Sequence, residues 1–141
     1  MQRILLPVDG SAGADHAAKH VIGMLKTRAD AEVHLLHVQP PLALRDVPDI
    51  AMPGLVERLG LDEADHAFAS AKRLLDEAGV RYSARTAFGD PAPEIALYAD
   101  VHGCSEIVMG TRGMGTIQNM LLGSVAMKVL HLVKVPVTLL K

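Results

Sequence analysis

Aromatic residues make up only 3% of the chain, and tryptophan is absent. The core must therefore be filled by Val, Ile, Leu, Ala and Met, and little remains to build a stacking platform for single-stranded nucleic acid. Positive charge is not in surplus either. The formal net charge is −2 with the seven histidines neutral, and no basic stripe runs along the chain, which argues against a polyanionic partner. A single cysteine, Cys104, excludes an internal disulfide and suits a reducing compartment. No uncharged run reaches membrane-spanning length; the longest, Gly113 to Met127, is interrupted by Gly, Thr, Gln and Asn. The opening Met1-Gln2-Arg3-Ile4 runs straight into an apolar stretch and reads as a chain without a signal peptide. These absences point to a soluble cytoplasmic protein with no nucleic-acid or membrane partner.

What is present is an alternation. A length of 141 residues fits a single domain, 1–141, able to bury a core without staples. Arg3 to Val8 and Val33 to Val38 are short, almost continuously apolar runs, as expected of strands buried on both faces of a parallel sheet. Between them Ala14, Ala17, Ala18, Val21, Ile22 and Leu25 recur at helical spacing behind Ser11, a natural N-cap. A Pro-rich loop then runs through Pro53, and a long helical pattern from about Leu55 ends at Gly79, with Gly60 as a candidate interruption. Val80 to Phe88 reads as a third strand, and Asp90-Pro91 as the cap and first residue of a short helix ending near Gly103. Glu106 to Met109 is a fourth strand, Leu122 to Val133 carries a last helical stripe, and Pro136 to Leu140 is a fifth strand. Such β-α-β alternation with right-handed crossovers specifies an α/β fold: an open five-stranded parallel sheet in three layers, with helices on both faces.

The chemistry concentrates after the fourth strand, in Gly110-Thr111-Arg112-Gly113 through Gly123-Ser124. Glycines at 110 and 113 let backbone approach a ligand without a Cβ and permit positive φ where amides converge. Gly123-Ser124 stands where the last helix begins, and free amides with the positive end of the helix dipole favour an anion there. Ser124 Oγ adds a donor, and the Arg112 fork matches phosphate oxygens. A tight turn with Ser124 as a simple N-cap explains the same residues, so composition alone leaves both readings open.

The spacing Gly110-x2-Gly113-x9-Gly123-Ser124 resembles the nucleotide loop of the ATP-binding branch of the universal stress protein family. The similarity extends to the opening Ile4-Leu5-Leu6-Pro7-Val8-Asp9-Gly10-Ser11, to His37-Val38 and to Val135-Pro136-Val137. The resemblance implies an adenine-nucleotide α-hydrolase-like sheet of order 3-2-1-4-5 and ATP, AMP or ADP as ligand, with Mg2+ held mainly by the phosphates. It implies Pro7 at the end of the first strand and Asp9 beside the sugar or a metal. Val38 would meet the adenine edge through its backbone, and Met109 would wall the pocket. Gly110, Arg112, Gly113, Gly123, Ser124 and Val125 would hold ribose and phosphates. It also implies a homodimer through the last strand, Val135 to Leu140, where Pro136 marks an edge or a strand start.

Other residues carry less. His16 and His20 share a helix face but lack a third ligand, so a metal is not expected. His34 and His37 face opposite sides of their strand, and Cys104 and Met109 read as packing. No Walker-type Gly-x4-Gly-Lys-Ser/Thr loop occurs, and no Asp, Glu or Cys lies between Ile107 and Lys141. The expectation is a nucleotide-binding regulatory module of the stress response with at most slow ATP hydrolysis. The alternatives are a nucleotide α-hydrolase-type enzyme, a phosphoacceptor receiver domain and a protein whose nucleotide is purely structural.

Overall fold

A computed structural model describes residues 1–41, 55–111 and 122–141, with backbone alone over 55–59. Nine elements alternate among the described residues. They are β1 (Gln2–Pro7), α1 (Ala12–Leu25), β2 (Ala31–Gln39), α2 (Leu55–Glu77), β3 (Tyr82–Phe88), α3 (Pro91–Val101), β4 (Glu106–Gly110), α4 (Ser124–Leu132) and β5 (Val137–Leu140). The strands form one parallel sheet in the order β3-β2-β1-β4-β5, in register from Gln2 opposite Ala31 to Pro7 opposite Leu36.

The apolar runs are explained by burial on both faces. Ile4 and Leu6 of β1, with Val33 and Leu35 of β2 and Val108 of β4, pack against Ala17, Ala18 and Val21 of α1 and Phe68, Ala71 and Leu75 of α2. The alternate residues Leu5, Leu36, Ile107 and Met109 pack against Ala92, Ile95 and Ala99 of α3 and Ala126 and Val129 of α4. Cys104 belongs to this second core, and burial pushes its thiol pKa up. No described helix is long and apolar enough to cross a membrane.

Helix ends follow their local chemistry with two departures. Ser11 caps α1 through its side chain, which accepts from the Ala14 amide. Gly79 ends α2 at φ +69, its amide donating to Asp76 and that of Val80 to Leu75, the paired bonds of a Schellman turn. Gly60 does not interrupt α2, which runs unbroken through it. Asp90 stands at the cap position of α3 with Pro91 as first helical residue, yet its side chain makes no capping bond. Pro136 precedes β5, and β5 is an edge of the sheet.

His34 and His37 do point to opposite faces. His34 faces α3, with Nδ1 2.9 Å from the Tyr98 hydroxyl and Nε2 3.3 Å from Glu32 Oε1. His102 stacks on Tyr98 with ring centroids 3.9 Å apart. Burial lowers the His34 pKa from its ordinary 6.5, against the opposing pull of Glu32. The unfolded chain therefore takes up this proton more readily than the folded one. Stability from this group is complete above about pH 6.5 and is lost as pH falls through the lowered folded value. Urea midpoints measured from about pH 7.5 down to about pH 5 should fall, and less so in His34→Gln; equal slopes in both proteins would refute the assignment.

Candidate functional site

The C-terminal ends of β1, β2 and β4 surround a cleft of about 250 Å³. Strand connections leave β1 and its neighbour β4 on opposite sides of the sheet, and open α/β sheets hold their ligands at such a switch point. Pro7, Val8 and Asp9 line it from the exit of β1, Leu36 and Val38 from β2, and Met109, Gly110 and Thr111 from β4. Three helix starts close it: Ser11 and Ala14 at α1, Pro91 and Ile95 at α3, and Gly123 to Ala126 at α4.

The three helix starts differ in what they leave for a ligand. At α1, Asp9 Oδ1 accepts from the Ser11 amide at 2.9 Å and Ser11 Oγ from the Ala14 amide at 3.3 Å, so those donors are engaged. At α3, Pro91 and Pro93 have no N–H to offer, and Glu94 adds an acid to the first turn. At α4 the cap is Gly123, with no side-chain capping bond and no acid in the first turn. Ser124 follows as the first helical residue, exposed, rather than being the cap itself. The anion-attracting start is therefore that of α4. On the β2 side, across β1 from β4, the lining at Leu36, Val38, Pro91 and Ile95 is apolar.

Backbone bonds join Thr111 to Gly123 and to β5. The Gly123 amide donates to the Thr111 carbonyl, and the Thr111 amide donates to Leu140 of β5. Gly110 corrects a sequence expectation. Its φ is not positive, and a Cβ there would lie 2.9 Å from Gly13 Cα and 3.0 Å from its carbonyl carbon. The close approach of α1 to β4 by itself requires a glycine at 110.

Pro7, Asp9, Val38, Met109, Gly110, Gly123, Ser124 and Val125 thus line one cleft; Arg112 and Gly113 lie outside the described residues. Asp9 also caps its own turn. Leu36, Pro91, Ile95, Thr111 and Ala126 line the cleft without having been singled out from sequence. Thr111 sits inside the motif itself. Asp90-Pro91 marked the helix start, but only the strand order brings that start to this crevice. His16 Nδ1 lies 3.0 Å from the Lys141 carbonyl oxygen.

The family model described as the universal stress protein family matches residues 1–141. This chain belongs to that family. Universal stress protein MJ0531 of Methanocaldococcus jannaschii is 34% identical over 140 residues, covering 99% of this chain and 82% of that one. Universal stress protein MJ0577 of the same organism is 30% identical over 154 residues, covering 99% and 94%. Its solved structure matches with a TM-score of 0.80 at 31% identity, over 99% of this chain and 95% of that one. The universal stress protein of Archaeoglobus fulgidus, in complex with dAMP, shares the fold with a TM-score of 0.75 at 21% identity, over 100% and 98% of the two chains.

Proposed function

We propose that this universal stress protein binds an adenine nucleotide, ATP foremost, in the cleft between β1, β4 and the start of α4. The observation that carries the reading is the polarity of the cleft from one side to the other. One side, at Pro91, Ile95 and Val38, is apolar and suits a base. The other, at Gly123 and Ser124, is a helix start whose cap offers no side-chain acceptor and suits phosphates. The dAMP held by the A. fulgidus protein names the ligand class to test first. Arg112 and Gly113 would complete the phosphate end, and Mg2+ would be held mainly by the phosphates.

Hydrolysis would be slow at most. Asp9 is the carboxylate among the described lining residues, and one of its oxygens already holds the Ser11 amide. A group committed to its own turn is a poor general base for water. The chain is then a nucleotide-dependent regulatory module of the cytoplasmic stress response, and a second copy would pair along the β5 edge. Light scattering showing a monomer of 15.0 kDa at all concentrations would exclude that pairing.

The decisive experiment is calorimetric titration of stripped protein with ATP, AMP and GTP in the presence of Mg2+, alongside a multiple-turnover ATPase assay. Selective ATP binding without sustained turnover is expected. If no nucleotide binds, the cleft is a packing feature and the reading fails.

A further inference from the structure

His37 has no part in the chemistry assigned above, yet its imidazole is tied to the cleft through the backbone. It lies near the end of β2, is 6% exposed, and meets Phe68 of α2 edge-on with ring centroids 6.0 Å apart. Its Nδ1 is 3.0 Å from the carbonyl oxygen of Val8. A carbonyl oxygen only accepts, so Nδ1 carries the hydrogen, and in the neutral ring Nε2 is the bare nitrogen. That Nε2 is buried and makes no hydrogen bond among the described residues. A buried acceptor without a donor is unfavourable, and an apolar side chain of similar bulk would fill the place without that penalty. The imidazole is accounted for by what Nδ1 holds.

What it holds is the point where β1 leaves the sheet. The Val8 amide makes the last rung to the Leu36 carbonyl at 2.9 Å. The chain then turns: Asp9 accepts from the Ser11 amide, and Gly10 takes φ +83. Val8 and Asp9 both line the cleft. We propose that His37 is a positioning residue for the nucleotide site: its Nδ1–H fixes the Val8 carbonyl and so sets the direction in which β1 delivers Asp9 to the ligand. This rests on the nucleotide reading of the cleft.

Three substitutions separate the donor from the bulk. Asparagine places an amide nitrogen near the position of Nδ1, glutamine places one near that of Nε2, and leucine keeps volume without a donor. His37→Asn should bind ATP within about threefold of the wild type, whereas His37→Gln and His37→Leu should lose about tenfold or more. His37→Leu and His37→Gln both leave the buried Val8 carbonyl without its donor, so both should melt below His37→Asn. A role confined to packing would let His37→Leu, which keeps the volume, bind as tightly as His37→Asn, and that result, or equal affinity in all three, overturns the proposal.

Nitrogen-15 spectra of the ligand-free proteins decide the point independently of nucleotide. The wild-type ring should show the proton on Nδ1, and the amides of Asp9, Gly10 and Ser11 should shift in His37→Leu but not in His37→Asn. If those amides do not move, the proposal fails even where ATP binds. If they move while ATP does not bind to the wild type, the nucleotide reading alone fails.

Discussion

Ser124→Asp should lose ATP binding by roughly thirtyfold or more while melting at or slightly above the wild type. The two effects have opposite signs because the same helix start acts on both. Ser124 is exposed and is the first residue of α4, behind a glycine cap that contributes no side-chain acceptor. A carboxylate placed there meets the amides of the first helical turn and the positive end of the dipole, which stabilises the helix by about 0.3–1 kcal/mol. A phosphate seeking the same amides meets that carboxylate instead. Two unit charges about 4 Å apart repel by about 4 kcal/mol at an effective dielectric of about 20. Salt at physiological strength reduces this, and about half of it corresponds to roughly thirtyfold in affinity. Ser124→Asn, close in size and uncharged, should lose far less, so the pair isolates charge from bulk. Titration calorimetry and thermal melts on the two variants read both quantities. Unchanged ATP affinity in Ser124→Asp would remove the phosphates from α4.

Much of this architecture is visible along the chain because a parallel sheet covered on both faces leaves a simple mark. Ile4-Leu5-Leu6 and Leu35-Leu36 are apolar without alternation since odd and even residues enter different cores. The small residues Ala14, Ala17 and Ala18 mark a helix that lies close on the sheet. The order of strands is different. It depends on which edges meet, and no local pattern encodes that, so it came through resemblance and the structure then displayed it. The same limit governs the cleft. Asp9, Gly123 and Ser124 are legible because turn and cap chemistry is local, whereas Pro91 and Ile95 enter the wall through a helix that belongs to another crossover. The His37 imidazole reaches Val8 across two strands, and sequence shows only which face it takes. Asp90 illustrates the converse error. It has the residue type and position of a cap, but Pro93, third in the helix, removes one of the two amides a cap would serve, and no capping bond forms.

Gly110 is legible as a special position, but its close approach to Gly13 is not, which makes its substitution the sharper test of the fold. Gly110→Ala should destabilise the protein by about 1–3 kcal/mol, as overpacking of a closed core does. The added carbon would stand 2.9 Å from Gly13 Cα, 3.0 Å from its carbonyl carbon and 3.1 Å from its carbonyl oxygen. All three are backbone atoms in the first turn of α1, so no side chain can swing away, and either the helix or the end of β4 must move. Each kcal/mol should lower Tm by roughly 3–5 °C for a chain of this size. Gly23→Ala is the matched control. It lies in the same helix with nothing within 4 Å of the added carbon, and removing a helical glycine should stabilise by about 0.5–1 kcal/mol. Opposite shifts in Tm from two glycine-to-alanine changes would separate close approach from backbone entropy. Because Gly110 also lines the cleft next to Thr111, the displaced strand end should weaken ATP binding severalfold in Gly110→Ala and leave Gly23→Ala unaffected. A Gly110→Ala protein that melts like the wild type would mean that α1 stands farther from β4 than the contact with Gly13 requires.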